Sequence, residues 1–257
     1  MLLTTNKLTG EIIIFAILKQ DNMGRAFEFR RGRKEKRWDK MAKAFTRLGK
    51  EIAMAVKQSG PNPDMNARLR VAMQNAKGLN MPKDRIEAAI KRASTKEEQD
   101  FQELVYEGYG PYGIPILVEC ATDNPTRTVA NIRMYFSRAG GALGKTGSLD
   151  FMFERKGVFK FSAEGINIEE LELDLIDHGA EDIFEEEGEI FVHTKFSDFG
   201  AMQKALEDKG INVISAELQR IPGTTIELPE EEEENIMNLI EKFEEDDDVQ
   251  AVFHNLK

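Results

Sequence analysis

Gly179-Ala180-Glu181-Asp182-Ile183-Phe184-Glu185-Glu186-Glu187-Gly188-Glu189-Ile190-Phe191-Val192-His193-Thr194 reads as two strands, 180–186 and 189–194, entered from a helix that Gly179 closes. A glycine just past the last turn supplies the left-handed residue that a helix C-terminus favours. Upstream lie a strand at Gly157–Ser162 and a helix at Ile168–His178. Downstream lie a helix at Ser197–Lys209, closed by Gly210, and a strand at Ile211–Gln219. Strand-helix-strand-strand-helix-strand is the ferredoxin-like order.

The flanks read as two halves of another such unit. Before the inner unit come Tyr106–Tyr112, a Gly- and aromatic-rich approach, then a buried strand at Ile114–Cys120. A helix follows over 124–139, with Asn124 as N-cap and Pro125 at its first position. Ser148–Phe153 is strand-like. After the inner unit come Thr224–Leu228, a helix at Glu230–Glu245 and a strand at Val249–His254. Residues 156–220 are therefore expected as a βαββαβ domain inserted into a discontinuous α+β domain made of 99–155 and 221–257.

Ahead of both, apolar residues at three- and four-residue steps predict three helices. The first carries Met41, Phe45, Leu48, Ile52 and Ala55 and ends at Ser59-Gly60-Pro61. The second carries Leu69, Met73 and Ala76 and stops near Gly78, and the third starts around Pro82 and carries Ile86, Ile90 and Ala93. The expected fold class is multi-domain α+β: an N-terminal three-helix domain, 23–98, plus two ferredoxin-like-type α+β domains, one inserted into the other. Residues 1–22 stand apart. Their seven-residue apolar run, Ile12–Leu18, is far short of the roughly 20 residues of a membrane span. Glu11 before it and Lys19, Gln20 and Asp21 after it do not suit a signal peptide. These residues read as an extension preceding a functional start at Met23, with a β-strand as the competing reading.

Charge is divided along the chain. Residues 23–96 hold 20 Lys+Arg against 7 Asp+Glu, whereas residues 97–257 hold 13 against 37, within an overall net charge of −11. A basic segment on an acidic body points to a polyanion partner. The same asymmetry would also let the basic part dock on the acidic part of this or another chain. The candidate nucleic-acid-binding residues are Arg25, Arg30, Arg31, Arg33, Lys34, Lys36, Arg37, Lys40, Lys43, Arg47, Lys50, Arg68, Arg70, Lys83, Arg85, Lys91 and Arg92, with Lys77 on the same helices. Such cations neutralise phosphates and release counterions, giving steep salt dependence and little base reading. Phe27, Phe29 and Trp38 either stack on unpaired bases or staple the basic arm to the helices. The glycines of 140–148 give an exposed loop and a possible second contact, through Gly140, Gly141, Gly144, Lys145, Gly147 and Ser148.

Enzyme signatures are weak. Ala139-Gly140-Gly141-Ala142-Leu143-Gly144-Lys145-Thr146 fits a loose phosphate-loop pattern, but it follows a helix where a phosphate loop follows a strand and opens a helix. One cysteine, Cys120, and three scattered histidines, His178, His193 and His254, give no metal-ligand spacing. No catalytic residues, metal or other cofactor are expected, and no small-molecule substrate or membrane partner.

Several motifs carry a family resemblance: Asn80-Met81-Pro82-Lys83-Asp84-Arg85-Ile86, Tyr106-Glu107-Gly108-Tyr109-Gly110-Pro111, Thr122-Asp123-Asn124 with Arg127-Thr128, Gly140-Gly141-Ala142-Leu143-Gly144 with Gly147-Ser148, Gly179-Ala180-Glu181-Asp182, and Asp248-Val249-Gln250 with His254-Asn255. Together they resemble the YebC family from Met23 to the end. The resemblance implies a cytoplasmic three-domain protein, a helical N-terminal domain and two α+β domains, one inserted in the other. It implies a DNA-binding transcriptional regulator or, as in the mitochondrial relatives and bacterial members linked to stalled ribosomes, a translation factor on ribosomal RNA. A protein–protein adaptor working through the acidic domains is the reading from another class. The family usually opens Gly-His-Ser-Lys-Trp. Here Gly24-Arg25-Ala26-Phe27-Glu28 stands in that place, and Trp38 comes later.

Overall fold

The computed structural model describes residues 39–95 and 100–257. The expectations for residues 1–22, for the cations of 25–37 and for Phe27, Phe29 and Trp38 lie outside them. The described residues divide into two units between Ala44 and Phe45.

Three helices come first: α1 (39–59), α2 (Ala67–Gly78) and α3 (Lys83–Ala93). Leu48, Ile52, Ala55, Leu69, Ala76, Ile86 and Ala93 meet in one buried cluster, as the helical spacing predicts. The turn between α1 and α2 is tied by Asn66. Its side chain caps α2 by accepting from Leu69 N and donates to the carbonyls of Ala55 and Gly60 at 2.7 and 2.8 Å. Pro82 immediately precedes α3 instead of occupying its first turn.

The first sheet contains β1 (Gln102–Tyr109), β2 (Pro115–Thr122), β3 (Ala142–Leu143) and β8 (Val249–His254), in the order β3-β1-β2-β8 and antiparallel throughout. Helices α4 (Pro125–Arg138) and α7 (Glu230–Glu245) cover one face, burying Phe136, Ile236 and Phe243 against Ile116 and Val118. Leu117, on the other face of β2, packs with Leu149 and Phe153.

Three local expectations change. Tyr106–Tyr109 is part of a strand, and the irregular turn is confined to Pro111–Gly113. The Ser148–Phe153 run is a turn with one 3-10 helix, Asp150–Met152, because Leu149 and Phe153 are needed under β2. Thr224–Leu228 makes a single parallel bridge, Ile226 to Leu256.

The second sheet contains β4 (Phe153–Ser162), β5 (Ala180–Glu186), β6 (Glu189–Lys195) and β7 (Val213–Pro222), ordered β5-β6-β4-β7 with every pair antiparallel. With α5 (Ile168–Ile176) and α6 (Phe199–Asp208) this is the ferredoxin-like order. Phe159, Phe161, Ile190 and Val192 face those helices and meet Leu171, Leu175, Met202 and Leu206. Gly179 and Gly210, at φ 90° and 70°, close the two helices in the left-handed region, as expected of C-caps. The protein is thus α+β, a helical region followed by two four-stranded antiparallel sheets with their helices.

Edge strand β7 does not end in water. The buried Asn75 amide of α2 donates to Ala216 O and accepts from Ala216 N, both at 2.9 Å, as a neighbouring strand would. A Cβ at Gly78 would lie 1.9 Å from Ile214 O, so only glycine lets α2 approach so closely. Asn75→Ala strands both groups of Ala216 and is expected to cost about 1–3 kcal/mol. A urea titration of the full chain measures this.

Candidate nucleic-acid interface

The candidate cations fall into two groups. The first is engaged by the protein's own acceptors. Arg47 Nη2 donates to Glu244 O at 2.8 Å, and burial lowers its pKa against the pull of Glu244. Lys50 Nζ donates to the carbonyls of Ala121 and Asp247 at 3.0 and 2.7 Å and to Asp248 Oδ1 at 3.0 Å. Arg68 pairs with Glu103 of β1 and donates to Gln58. Arg70 turns back on its own loop, donating to Pro63 O and Asp64 O at 3.0 and 3.3 Å.

Asp248 is the centre of the first group. It is 4% exposed, and its Oδ2 accepts from Arg127 Nη2 at 2.7 Å, Thr128 Oγ1 at 2.9 Å and Thr122 Oγ1 at 3.1 Å. Burial alone would raise its pKa. Hydrogen bonds from Arg127, Lys50 and Thr128 outweigh that and hold it below the ordinary carboxylate range. Lys50 thereby ties α1 to the β2–α4 turn and to the α7–β8 turn at one atom group.

A second junction surrounds Arg68. Glu51, on α1, has its pKa raised to about 7 by burial, with Arg68 opposing and Glu217 of β7 and Glu103 of β1 adding to the rise.

The second group stays at the surface. Lys77, Lys83, Arg85, Lys91 and Arg92 are exposed. Lys83 pairs with Glu87 at 3.5 Å, and Arg85 lies 5.9 Å over the Phe45 ring. Among the described residues none of Lys77, Arg85, Lys91 and Arg92 has an ion-pair partner. In the first unit Lys40 is exposed and Lys43 half-buried on the described part of α1. Arg70 and Lys77 also line a cleft of about 620 Å³ where α2 meets α6 and β7, with Gln74, Asn80, Glu207 and Asn212.

The 140–148 loop is a fastened element. Its Ala142–Leu143 forms β3 on β1, and a Cβ at Gly141 would sit 2.4 Å from Tyr109 O. Glu107, 2% exposed, accepts from Gly147 N and Leu149 N at 2.6 Å each, while Gly144 N donates to its carbonyl at 2.7 Å. Within the 139–146 stretch the amides of Gly141 and Gly144 are spent on the backbone carbonyls of Phe136 and Glu107, and the Glu107 carboxylate takes the amides of Gly147 and Leu149 just after it. The stretch opens no helix. Gly140, Gly144, Lys145 and Gly147 remain exposed, and Gly141 and Ser148 are half-buried.

Burial pushes the Cys120 thiol up to about 12, with Asp246 and Asp248 adding, so it is protonated at neutral pH. Burial also lowers the pKa of His193 and His254. Among the described residues no three His, Cys, Asp or Glu side chains are grouped to hold a metal. No described helix is long and apolar enough to cross a membrane.

Residues 25–96 match the TACO1/YebC protein N-terminal domain, and residues 101–256 match the TACO1/YebC second and third domain. The chain belongs to the TACO1/YebC family. A relative from Cytophaga hutchinsonii, named a probable transcriptional regulatory protein, is 66% identical over 234 residues, spanning 91% of this chain and 98% of that one. A relative of the same name from Flavobacterium johnsoniae is 55% identical over 91% of this chain and 99% of its own. The crystal structure of a conserved hypothetical protein from Aquifex aeolicus superposes with a TM-score of 0.75 at 37% identity, covering 84% of this chain and 90% of that one.

The positioning residues Asp248, Glu107 and Asn75 are acidic or neutral and so lie outside the cationic pattern that marks the candidate contacts. The first two lie inside the family motifs, whose acidic members are the signal for them. Asp248→Asn leaves Lys50 without its counter-charge and is expected to cost about 3–5 kcal/mol in a denaturant titration at neutral pH. The depressed Asp248 contributes stability above the ordinary carboxylate pKa and loses it as pH falls through the folded value. Glu51 works oppositely. Its folded pKa exceeds the unfolded one, so stability declines as pH rises from about 4.5 to about 7. Melting temperature followed over that range should flatten in Glu51→Gln. An unchanged pH profile would remove Glu51 from this role.

Proposed function

We propose that this TACO1/YebC member is a nucleic-acid-binding regulatory protein that grips phosphate through the surface cations of its helical domain. The observation that supports this is the set Lys77, Arg85, Lys91 and Arg92, exposed and without acidic partners among the described residues, on a chain whose net charge is −11. Unpaired cations kept on an acidic protein favour polyanions electrostatically. Lys40, Lys43, the basic run 25–37 and the exposed Lys145 loop are further proposed contacts. Arg47, Lys50 and Arg68 act instead in holding the helices to the sheets, which matches the docking alternative that the charge asymmetry leaves open.

We take DNA as the ligand, in line with the names of the bacterial relatives. The binding is phosphate-led, with no base-reading element required. Ribosomal RNA is the second reading, favoured by the braced 140–148 loop, which offers a fixed glycine-rich surface to a folded polyanion.

Lys91→Glu with Arg92→Glu should weaken binding of duplex DNA or RNA at least about tenfold and reduce the slope of log affinity against log salt by about two. Unchanged affinity and slope in an anisotropy salt titration would sink the proposal. Sedimentation of lysate decides the ligand: co-migration with ribosomal subunits that survives DNase selects RNA, and absence from those fractions selects DNA.

A further inference from the structure

The two edges of the second sheet are treated differently. At one edge Asn75 closes β7. At the other, β5 is the terminal strand, with β6 on one side and α5 on one face. The β5–β6 hairpin turns through Glu187 and Gly188, at φ 52° and 80°, with Glu186 opposite Glu189. In such a two-residue hairpin the flanking pair exchanges hydrogen bonds and the pairs alternate from there. Glu186 and Phe184 therefore bond inward to β6, while the N–H and C=O groups of Ile183 and Glu185 point outward. No described strand pairs with β5 on that side.

Side chains along this edge are sorted by charge. Ile183 faces the helices with Phe159 and Val192, so Asp182, Phe184 and Glu186 lie on the opposite face with Phe191 and His193. There Phe184 and Phe191 stack at 5.3 Å with planes 10° apart, and both are only half-buried. Each lysine of that face is already matched: Lys160 by Glu189 at 3.1 Å, Lys156 by Glu181 at 3.1 Å, and Lys195 by Glu181 at 3.9 Å. Among the described residues Asp182 and Glu186 have no cation. The exposed row is thus acid–aromatic–acid at every second residue beside an unused hydrogen-bonding edge.

We propose that the outer edge of β5 docks an extended cationic segment of a partner protein, which adds as a fifth strand. It would set arginine or lysine at alternate positions against Asp182, Phe184 and Glu186. Backbone pairing supplies affinity and the alternate side chains supply specificity, as in strand addition elsewhere. A guanidinium over the Phe184 ring gains a cation–π contact. Nucleic acid is repelled by this row. A second copy pairing β5 with β5 would oppose acid to acid, which destabilises a ladder.

The test uses the full chain and a fluorescent peptide that alternates arginine with valine over the length of β5. A control peptide has the same composition with the arginines in one block. Anisotropy should show the alternating peptide binding at least about tenfold tighter. Glu185→Pro removes an outward N–H and should cost about tenfold, whereas Glu185→Gln, losing the same charge, should cost under about threefold. Equal binding of the two peptides, or equal losses in the two variants, overturns the proposal. Should circular dichroism show Glu185→Pro unfolded, Asp182→Lys with Glu186→Lys replaces it, and undiminished peptide binding by that variant overturns the proposal. An RNA oligomer whose affinity falls on Phe184→Ala while the peptide's does not would assign the face to nucleic acid. A dimer in sedimentation equilibrium that Glu185→Pro abolishes would assign it to a second copy. Either result overturns the choice of a cationic protein segment.

Discussion

A carboxylate that is almost out of water must be surrounded by donors or lose its charge, and Asp248 is surrounded by four side chains from three parts of the chain. Lys50 comes from α1, Thr122 from the end of β2, and Arg127 and Thr128 from the first turns of α4. Because β8 starts at the next residue, the same group fixes the entry of the last strand beside β2. The order of the first sheet, the seating of α4 and the attachment of the first helices all lean on this one charge. Burial raises its pKa, and the hydrogen bonds of Arg127, Lys50 and Thr128 together lower it further than burial lifts it.

The periodic parts of the fold could be read from residue order alone. Helix α7 and strand β8 lie where the sequence reading puts them, and the strand-helix-strand-strand-helix-strand order expected of 156–220 is found over 153–222. Strand β1 was hidden because Glu107, the two glycines around Tyr109 and Pro111 imitate a loop. Glu107 is buried as a brace for 144–149, and Gly108 is required because a Cβ there would lie 2.6 Å from Ala142 O. Ser148–Phe153 misled in the opposite sense: its apolar residues serve Leu117 from a turn, which periodicity cannot distinguish from a short strand.

At the candidate site, residue type was legible and partner was not. Lysine and arginine on helix faces look alike in one dimension. Only packing shows that Arg47, Lys50 and Arg68 meet Glu244, Asp248 and Glu103, each more than thirty residues away. Docking cations of this kind leave water at a cost that a matched acceptor must offset, whereas binding cations must stay hydrated until a phosphate arrives. An acidic body joined to a basic region needs both kinds, since unmatched cations would otherwise collapse onto the excess carboxylates.

The most direct test of that division compares Arg68→Gln with Lys91→Gln in two measurements on each protein, a thermal melt and a salt-titrated nucleic-acid affinity. Arg68→Gln should lower the melting temperature and leave the salt slope unchanged, and Lys91→Gln should leave the melt unchanged and reduce the slope by about one. A salt slope that falls equally in both, with equal melts, would contradict the account.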